Sequence, residues 1–172
     1  DGVPFAVDNG AFAACSNNRE WDASAFIWLF AKARPYRPLW VVVPDVVGDS
    51  ILTLNMWKKW SPRIKGIPLA FAVQDGMTPD DVPDCAVVFV GGTTEWKWRT
   101  LKIWTENFPR VHVGRVNTYR LLWMAHEAGA ESCDGTGWFR GDADRLVGLH
   151  RYLDESSGRK PRPQMEMELA PP

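Results

Sequence analysis

The sequence has little cysteine, and what it has is widely spaced. Cys15, Cys85 and Cys133 are an odd number, and no CxxC pair brings two of them together. This spacing argues against a disulfide framework and against a cysteine-rich zinc site. It is typical of a reducing compartment, so the sequence predicts a cytoplasmic protein.

Long apolar runs and an excess of one charge are also missing. The longest apolar stretches fall far short of the roughly 20 residues of a membrane span, and no secretory signal pattern occurs, so no membrane partner is expected. Lysine and arginine number 20 against 21 acidic residues, for a net charge of −1. Binding to nucleic acid would therefore need a local basic patch.

The common fingerprints of cofactor and metal sites do not occur either. There is no P-loop, no GxSxG and no dinucleotide-binding motif. His112, His126 and His150 lack metal-ligand spacing with cysteine or with one another. We therefore assign no metal ligand and no cofactor.

The chain has 172 residues, of which 45% are hydrophobic, and this suits one globular domain with a sizeable core. We place the domain at residues 1–153. The segment 154–172 is rich in proline, serine and charge, and is expected to be a flexible tail. Residue 1 is Asp rather than Met, so we expect the chain to have been cut or to begin inside a longer domain.

Short apolar runs alternate with segments of helical period, which predicts an α/β fold with a parallel sheet. Six strands are predicted, near residues 3–7, 39–43, 68–73, 86–90, 110–114 and 130–133. Helices are predicted at 22–33, 50–60, 96–107, 118–128 and 142–153. Thr118 and Asp142 are expected to cap the last two helices at their N-termini, and Gly129 is expected to end the helix at 118–128.

Two parallel architectures fit this order, an open doubly wound sheet and a TIM-like (β/α) barrel. Polar residues or glycines stand at or just past the ends of all six strands: Asp8, Asp45, Gln74, Gly91-Gly92, Arg115 and Asp134. Only in a barrel do all the strand ends converge on one mouth, so the barrel is favoured. A complete barrel has eight strands, so we expect an incomplete or minimal one, with the missing strands before residue 1.

Asp8 and Asp134 are the candidate catalytic pair. Two carboxylates across a barrel mouth suit glycosidic chemistry, in which one attacks the anomeric carbon and the other handles the proton of the leaving group. Either residue alone could instead be a turn or cap residue, since Asp-Gly is a common turn dipeptide. The shared pattern with Asp45 and Gln74 favours a site.

The other strand-end residues suit recognition of a flat polar heterocycle. Asp45 and Gln74 offer an acceptor and an amide, and Gly91-Gly92 allows close approach of the backbone. Phe12 could stack on a base. The structural alternatives are a turn for Asp45, an amide that caps a loop for Gln74, and a core position for Phe12.

The stretch TTEWKWRTLKIW (93–104) mixes tryptophan with basic residues. Trp96, Lys97 and Arg99 could hold a nucleic-acid backbone and stacked bases. An amphipathic helix with tryptophan inside and lysine outside fits this pattern equally well. Arg115 is either a phosphate contact or a surface charge.

In order, these motifs resemble those of the tRNA-guanine transglycosylase superfamily. DNGAF resembles the family's DSGGF/Y segment, VVPD its second aspartate strand and LAFAVQDG its IVQGG strand. VFVGGTTEWK is similar to GGLAVGE, and VHVGRVNTYRLLWMAHEAGAESCDGTG to MGVGTPEDLLEAVALGVDMFDCV. The order and approximate spacing of all five motifs hold over residues 5–137.

The resemblance implies base exchange through a covalent aspartyl intermediate, without a cofactor. Asp134 would be the nucleophile on the nucleoside C1′, and Asp8 the acid and base. The resemblance assigns recognition of the heterocycle to Asp45, Gln74, Gly91, Gly92 and Phe12.

The chain departs from the family in three places. It has no C-terminal zinc module, Ala11 replaces the second glycine of DSGGF, and Lys97 stands where GGLAVGE has its glutamate, while Glu95 falls two positions early. The closest resemblance is to the compact enzymes that insert 7-deazaguanines into phage and bacterial DNA. The expected partners are therefore DNA before tRNA and a free 7-deazaguanine base, in the host cytoplasm if a phage encodes the protein.

Other functions fit the same residues. The carboxylates could direct water to the anomeric carbon, as in a nucleoside or DNA glycosidase. A non-catalytic nucleic-acid- or protein-binding module would instead use the stretch 93–104. An enzyme acting on a small phosphorylated metabolite is a further alternative.

Overall fold

A computed structural model describes residues 3–161, in which helices and strands alternate. The strands are β1 (Val41–Val42), β2 (Leu69–Val73), β3 (Val87–Val90), β4 (Val111–Val113) and β5 (Ser132–Cys133). The α-helices are α1 (Ala11–Ser16), α2 (Ala23–Ala33), α3 (Ser50–Trp60), α4 (Thr94–Asn107), α5 (Tyr119–Glu127) and α6 (Ala143–Ser156).

The five strands form one parallel sheet in the order in which they occur along the chain. Ala70 of β2 aligns with Val87 of β3, and Val88 aligns with Val111 of β4. An open doubly wound sheet reverses its strand order at a switch point, whereas a barrel adds strands in one direction. The predicted α/β class is confirmed, and the sheet is a curled half-barrel. Over residues 3–161 it does not close into a full barrel.

The segment 3–7, predicted as the first strand, forms only an isolated parallel bridge between Val7 and Val41. The Val7 N–H donates to the Trp40 carbonyl at 3.0 Å, and the Val42 N–H donates to the Val7 carbonyl at 2.9 Å. The Leu39 N–H also donates to the Phe5 carbonyl at 2.8 Å, but no regular strand forms over this segment. The prediction of a sixth full strand is therefore wrong, although the segment does lie at the edge of the sheet beside β1.

Side chains alternate between the two faces of the sheet, as strand geometry requires. On the outer face, strand side chains such as Val73 and Val113 pack with helical residues that include Trp104 and Leu122. A separate cluster covers the inner face: Trp40, Val42, Ala70, Ala72, Val87 and Phe89. The inner face corresponds to the interior of a barrel and leads to the candidate site.

The predicted helix caps are confirmed. The Thr118 hydroxyl accepts from the Leu121 N–H, the Asp142 carboxylate accepts from the Arg145 N–H, and Gly129 follows α5 with a φ of 86°. No helix within residues 3–161 is long and apolar enough to cross a membrane.

The last helix extends three residues past its predicted end at residue 153. Helix α6 continues to Ser156, so the first residues of the predicted tail are helical. Asp154 then pairs with Arg159 at 3.0 Å and with Lys160 at 2.8 Å, and these contacts hold the chain beyond the helix. The rest of the predicted tail, 162–172, lies outside the described residues.

Candidate active site

A cavity of about 1060 Å³ opens at the carboxyl ends of the strands, over the inner face of the sheet. Three carboxylates line it, those of Asp8, Asp45 and Asp134. They follow the first, second and last strand segments of the described chain, and all these segments run in the same direction. Their convergence on one edge is the arrangement that the strand-end pattern predicted.

Asp134 follows β5 and is fixed by its backbone. Its N–H donates to the Val113 carbonyl at 3.1 Å, and its own carbonyl accepts from the Val116 N–H at 2.6 Å. The carboxylate lies in the cavity, where 49% of the side chain is exposed. Its Oδ1 lies 3.1 Å from His112 Nε2. Asp134 is therefore accessible while its orientation is fixed.

Asp8 follows the bridge residue Val7 and faces the same cavity. Solvent reaches it through the cavity, yet the surrounding protein desolvates the carboxylate and raises its pKa. The negative charge of Asp134 raises this pKa further, against the lowering effect of the Asn9 and Gly10 N–H groups and of His112. Asp8 thus keeps a proton to a higher pH than an ordinary aspartate.

Asp45 is held by two amides. Asn9 Nδ2 donates to its Oδ1 and Gln74 Nε2 to its Oδ2, each at 2.7 Å. Burial raises the Asp45 pKa to about 6, and the charge of Asp8 adds to this, while the two amides act in the opposite direction. Asp45 is therefore a carboxylate of fixed orientation that titrates near neutral pH.

Gln74 lies behind Asp45 and does not line the cavity. It is 0% exposed, and its Oε1 accepts from the Gly48 and Gly92 N–H groups at 2.9 and 3.1 Å. The predicted contact between Gln74 and a heterocycle is corrected on this point, because both ends of the amide are engaged inside the protein. Gln74 positions Asp45 and the loop after β3.

Gly91, Gly92, Phe12 and Arg115 all line the cavity, as predicted. The Arg115 guanidinium donates to the Gly92 carbonyl and lies 4.2 Å from the centre of the Phe12 ring. Phe12 itself is half-exposed. The four residues form one wall, on which a stacked cation–ring pair meets an open backbone segment.

Two of the three residues predicted to form a nucleic-acid surface on α4 are buried. The helix turns Trp96 and Lys97 inward, where they are 7% and 1% exposed, so the prediction is wrong for these two residues. Lys97 Nζ donates to the Gly114 carbonyl, and burial, together with the charge of Arg115, lowers its pKa to about 8. Arg99 does lie on the surface, where it pairs with Glu95 at 3.6 Å.

Several residues that the sequence interpretation left without a role lie in or beside the cavity. Asn9 is buried and bridges the Val43 carbonyl and Asp45, at 3.0 and 2.7 Å. Arg140 and Asn117 line the cavity. His112 contacts Asp134, and its place in the alternating V-H-V of β4 would have indicated an inward side chain.

Scans of the chain against protein-family models and against curated proteins find no match. Among residues 3–161, no group of three or more histidine, cysteine, aspartate or glutamate side chains is placed to hold a metal ion. The described cavity offers an accessible carboxylate, a second carboxylate of raised pKa, and a wall suited to a flat polar ring.

Proposed function

We propose that the protein is a base-exchange transglycosylase that replaces guanine in nucleic acid with a 7-deazaguanine. One observation carries the proposal: Asp8 and Asp134 share one cavity but occupy different environments. Desolvation by the surrounding protein and the charge of Asp134 raise the pKa of Asp8, whereas Asp134 lies within hydrogen-bond distance of His112 Nε2; both carboxylates are open to the cavity. A pair of carboxylates in unlike environments is the usual basis for dividing acid and nucleophile roles.

In the first step, Asp134 attacks C1′ of the guanosine unit and the bond from C1′ to the base breaks. Asp8 donates its proton to the departing guanine, and the sugar remains bound to Asp134 as an ester. In the second step, the incoming 7-deazaguanine gives a proton to Asp8 and attacks C1′. The ester bond breaks, Asp134 regains its charge and Asp8 is protonated again.

Asp45 is suited to bind the hydrogen-bonding edge of the base. Each of its oxygens receives one amide donor from the protein, and a carboxylate oxygen has two lone pairs, so each can accept a further N–H from guanine. The exposed Phe12 ring, which packs against Arg115, offers a stacking surface beside it. A guanine must leave the helical stack to reach this cavity.

DNA is the substrate to test first, following the resemblance to the compact enzymes that act on DNA. The net charge of −1 gives no general attraction to a phosphate backbone. Arg115 and Arg140 line the cavity and supply positive charge locally, where a flipped nucleotide would bring its phosphates.

The test is incorporation of radiolabelled guanine into duplex DNA and, in parallel, into tRNA. Asp134→Asn keeps the size of the side chain but removes the nucleophile, so we expect incorporation to fall by at least about 1000-fold. Asp84→Asn, at an exposed aspartate outside the cavity lining, is the matched control and should incorporate label like the wild type. Incorporation by Asp134→Asn at the wild-type rate would contradict the proposal.

A glycosidase is the second candidate, because the half-exposed Asp134 leaves room for water at the reacting carbon. The two functions differ in what they need. A glycosidase releases free guanine without any added base, whereas the transglycosylase needs an incoming base for turnover. Measuring free guanine in the same reactions, with and without added base, separates them.

A further inference from the structure

His112 is the middle residue of β4, and its ring is held on the inner face of the sheet. It is buried and stacks on Phe89, with ring centres 5.0 Å apart and planes 27° apart. Trp40 meets it edge-on at 4.8 Å. Two aromatic neighbours therefore fix the plane of the His112 ring, and with it the directions of its two nitrogens.

Both nitrogens of this ring have partners on β5 or just beyond it. Nδ1 lies 2.9 Å from the Ser132 hydroxyl, and Nε2 lies 3.1 Å from Asp134 Oδ1. An ionised carboxylate only accepts hydrogen bonds, so the proton is on Nε2. Nδ1 accepts from the Ser132 hydroxyl when the ring is neutral and donates to the Ser132 oxygen when the ring is protonated, so Ser132 is a partner of the ring in either state.

We propose that His112, oriented by Ser132, is a positioning residue for Asp134. Its Nε2–H occupies Oδ1, which leaves Oδ2 as the oxygen that attacks C1′. His112, Cys133 and Asp134 line the cavity but Ser132 does not, so Ser132 acts through the histidine rather than on the substrate. The part of this inference that concerns the reaction rests on the proposed function.

The hydrogen bond from His112 to Asp134 affects formation of the glycosyl–enzyme ester and its breakdown differently. When Oδ2 bonds to C1′, Oδ1 becomes the carbonyl oxygen of an ester and carries less negative charge. When that bond breaks, the electron pair returns to the carboxylate and the bond from His112 strengthens. Loss of His112 therefore slows release of Asp134 more than its attack, and the glycosyl–enzyme ester accumulates.

The kinetic test compares His112→Phe, which keeps an aromatic ring but makes neither hydrogen bond, with His112→Gln, whose amide can donate to Asp134. We expect His112→Phe to lower kcat about 10- to 100-fold, by analogy with the loss of a partner that orients a metal ligand, with KM little changed. The fraction of enzyme carrying the sugar, measured by intact-protein mass, should rise. His112→Gln should recover part of the rate.

His126→Phe is the matched control, because His126 is an exposed histidine on α5 that contacts Tyr152 and does not line the cavity. It should leave kcat and the ester fraction unchanged. Equal losses in His112→Phe and His112→Gln, or a lower rate without more ester, would show a purely structural role and overturn the inference.

Nitrogen-15 NMR of the His112 ring provides a readout that needs no activity. We expect the Nε2–H tautomer, with a downfield Nε2–H proton that moves upfield in Asp134→Asn. A different tautomer, or a proton that does not respond to that substitution, overturns the inference whatever the activity. If the signature is present but the wild type exchanges no base, the proposed function fails while the orientation of Asp134 by His112 is supported.

Discussion

At Asp45, burial and hydrogen bonding act on one carboxylate in opposite directions. Burial raises its pKa to about 6, while Asn9 and Gln74 hold the ionised form in place. The residue therefore changes charge close to physiological pH without losing its orientation. A base bound at this edge of the cavity would meet a full negative charge only above that pH.

The raised pKa predicts a specific dependence of stability on pH. Because the folded protein binds this proton more tightly than the unfolded chain, the contribution of Asp45 to the free energy of unfolding falls as the pH rises from about 4 to about 6. Asp45→Asn does not titrate. The difference in unfolding free energy between wild type and Asp45→Asn should change by about 1–3 kcal/mol across this range. Urea unfolding at several pH values measures it, and a constant difference would contradict the prediction.

For single residues, the sequence predicts which ones lie near the cavity better than it predicts the direction in which each side chain points. Asp8, Asp45 and Asp134 were placed correctly at the cavity, because each closes an apolar strand segment and parallel strands end at one edge. Whether a side chain near a strand end faces the cavity or the protein depends on the exact register. For that reason Gln74 was expected to contact the heterocycle and is buried, whereas Lys97 was expected to contact nucleic acid and is buried because α4 turns it inward.

Among the elements, the turn from β3 into α4 is a tightly constrained part of the cavity wall. Gly92 has a φ of 68°, its N–H donates to Gln74 and its carbonyl accepts from Arg115. A Cβ at this position would lie 2.6 Å from Asp75 Oδ2 and 2.7 Å from the Trp96 ring. The backbone here needs glycine both for its conformation and for the space.

A comparison of Gly92 with Gly76 tests whether position 92 needs glycine for space as well as for its backbone conformation. Gly76 also has a positive φ, 81°, but a Cβ there would meet nothing within 4 Å. Gly76→Ala should therefore cost only the backbone strain of about 1–2 kcal/mol. Gly92→Ala adds the steric clash, and we expect it to cost at least about 1 kcal/mol more. Chemical denaturation measures the loss of unfolding free energy in both variants. Equal losses would show that the backbone of the turn shifts to relieve the clash.

Most elements could be predicted from the sequence, because buried strands and amphipathic helices have distinct periods. β2 and β3 start one residue inside the predicted ranges 68–73 and 86–90 and end with them, and α3 coincides with 50–60. Helix α1 was missed because six residues are too few to show a helical period. The segment 3–7 is predicted as a full strand because an apolar pattern does not show how many backbone N–H and C=O groups will pair.

Over the whole molecule, the half-barrel has a protected centre and two weaker edges. β2 and β3 lie between neighbours on both sides, and their side chains are almost all buried. β5 has two residues, both exposed, and the segment before Asp8 pairs through one isolated bridge at Val7 and one further hydrogen bond, from the Leu39 N–H to the Phe5 carbonyl. The free energy needed to open the backbone should therefore fall from the centre of the sheet toward each edge.

Hydrogen exchange followed by mass spectrometry tests this gradient. We expect amides in β2 and β3 to exchange last, near the global unfolding free energy, and amides in β5 to exchange earlier by local opening. Protection in β5 equal to that in β3 would mean that this edge is held as firmly as the centre.

The sequential strand order also bears on how the chain reaches this structure. Each strand pairs with the one that follows it, and paired residues are 17 to 28 positions apart along the chain. The sheet can therefore grow one β–α unit at a time, with a modest loop-closure cost for each new strand. A ribosome that delivers the chain from its N-terminus supplies the units in the order in which they dock, so assembly can keep pace with synthesis. The two catalytic candidates, Asp8 and Asp134, come together only when the last strand is added.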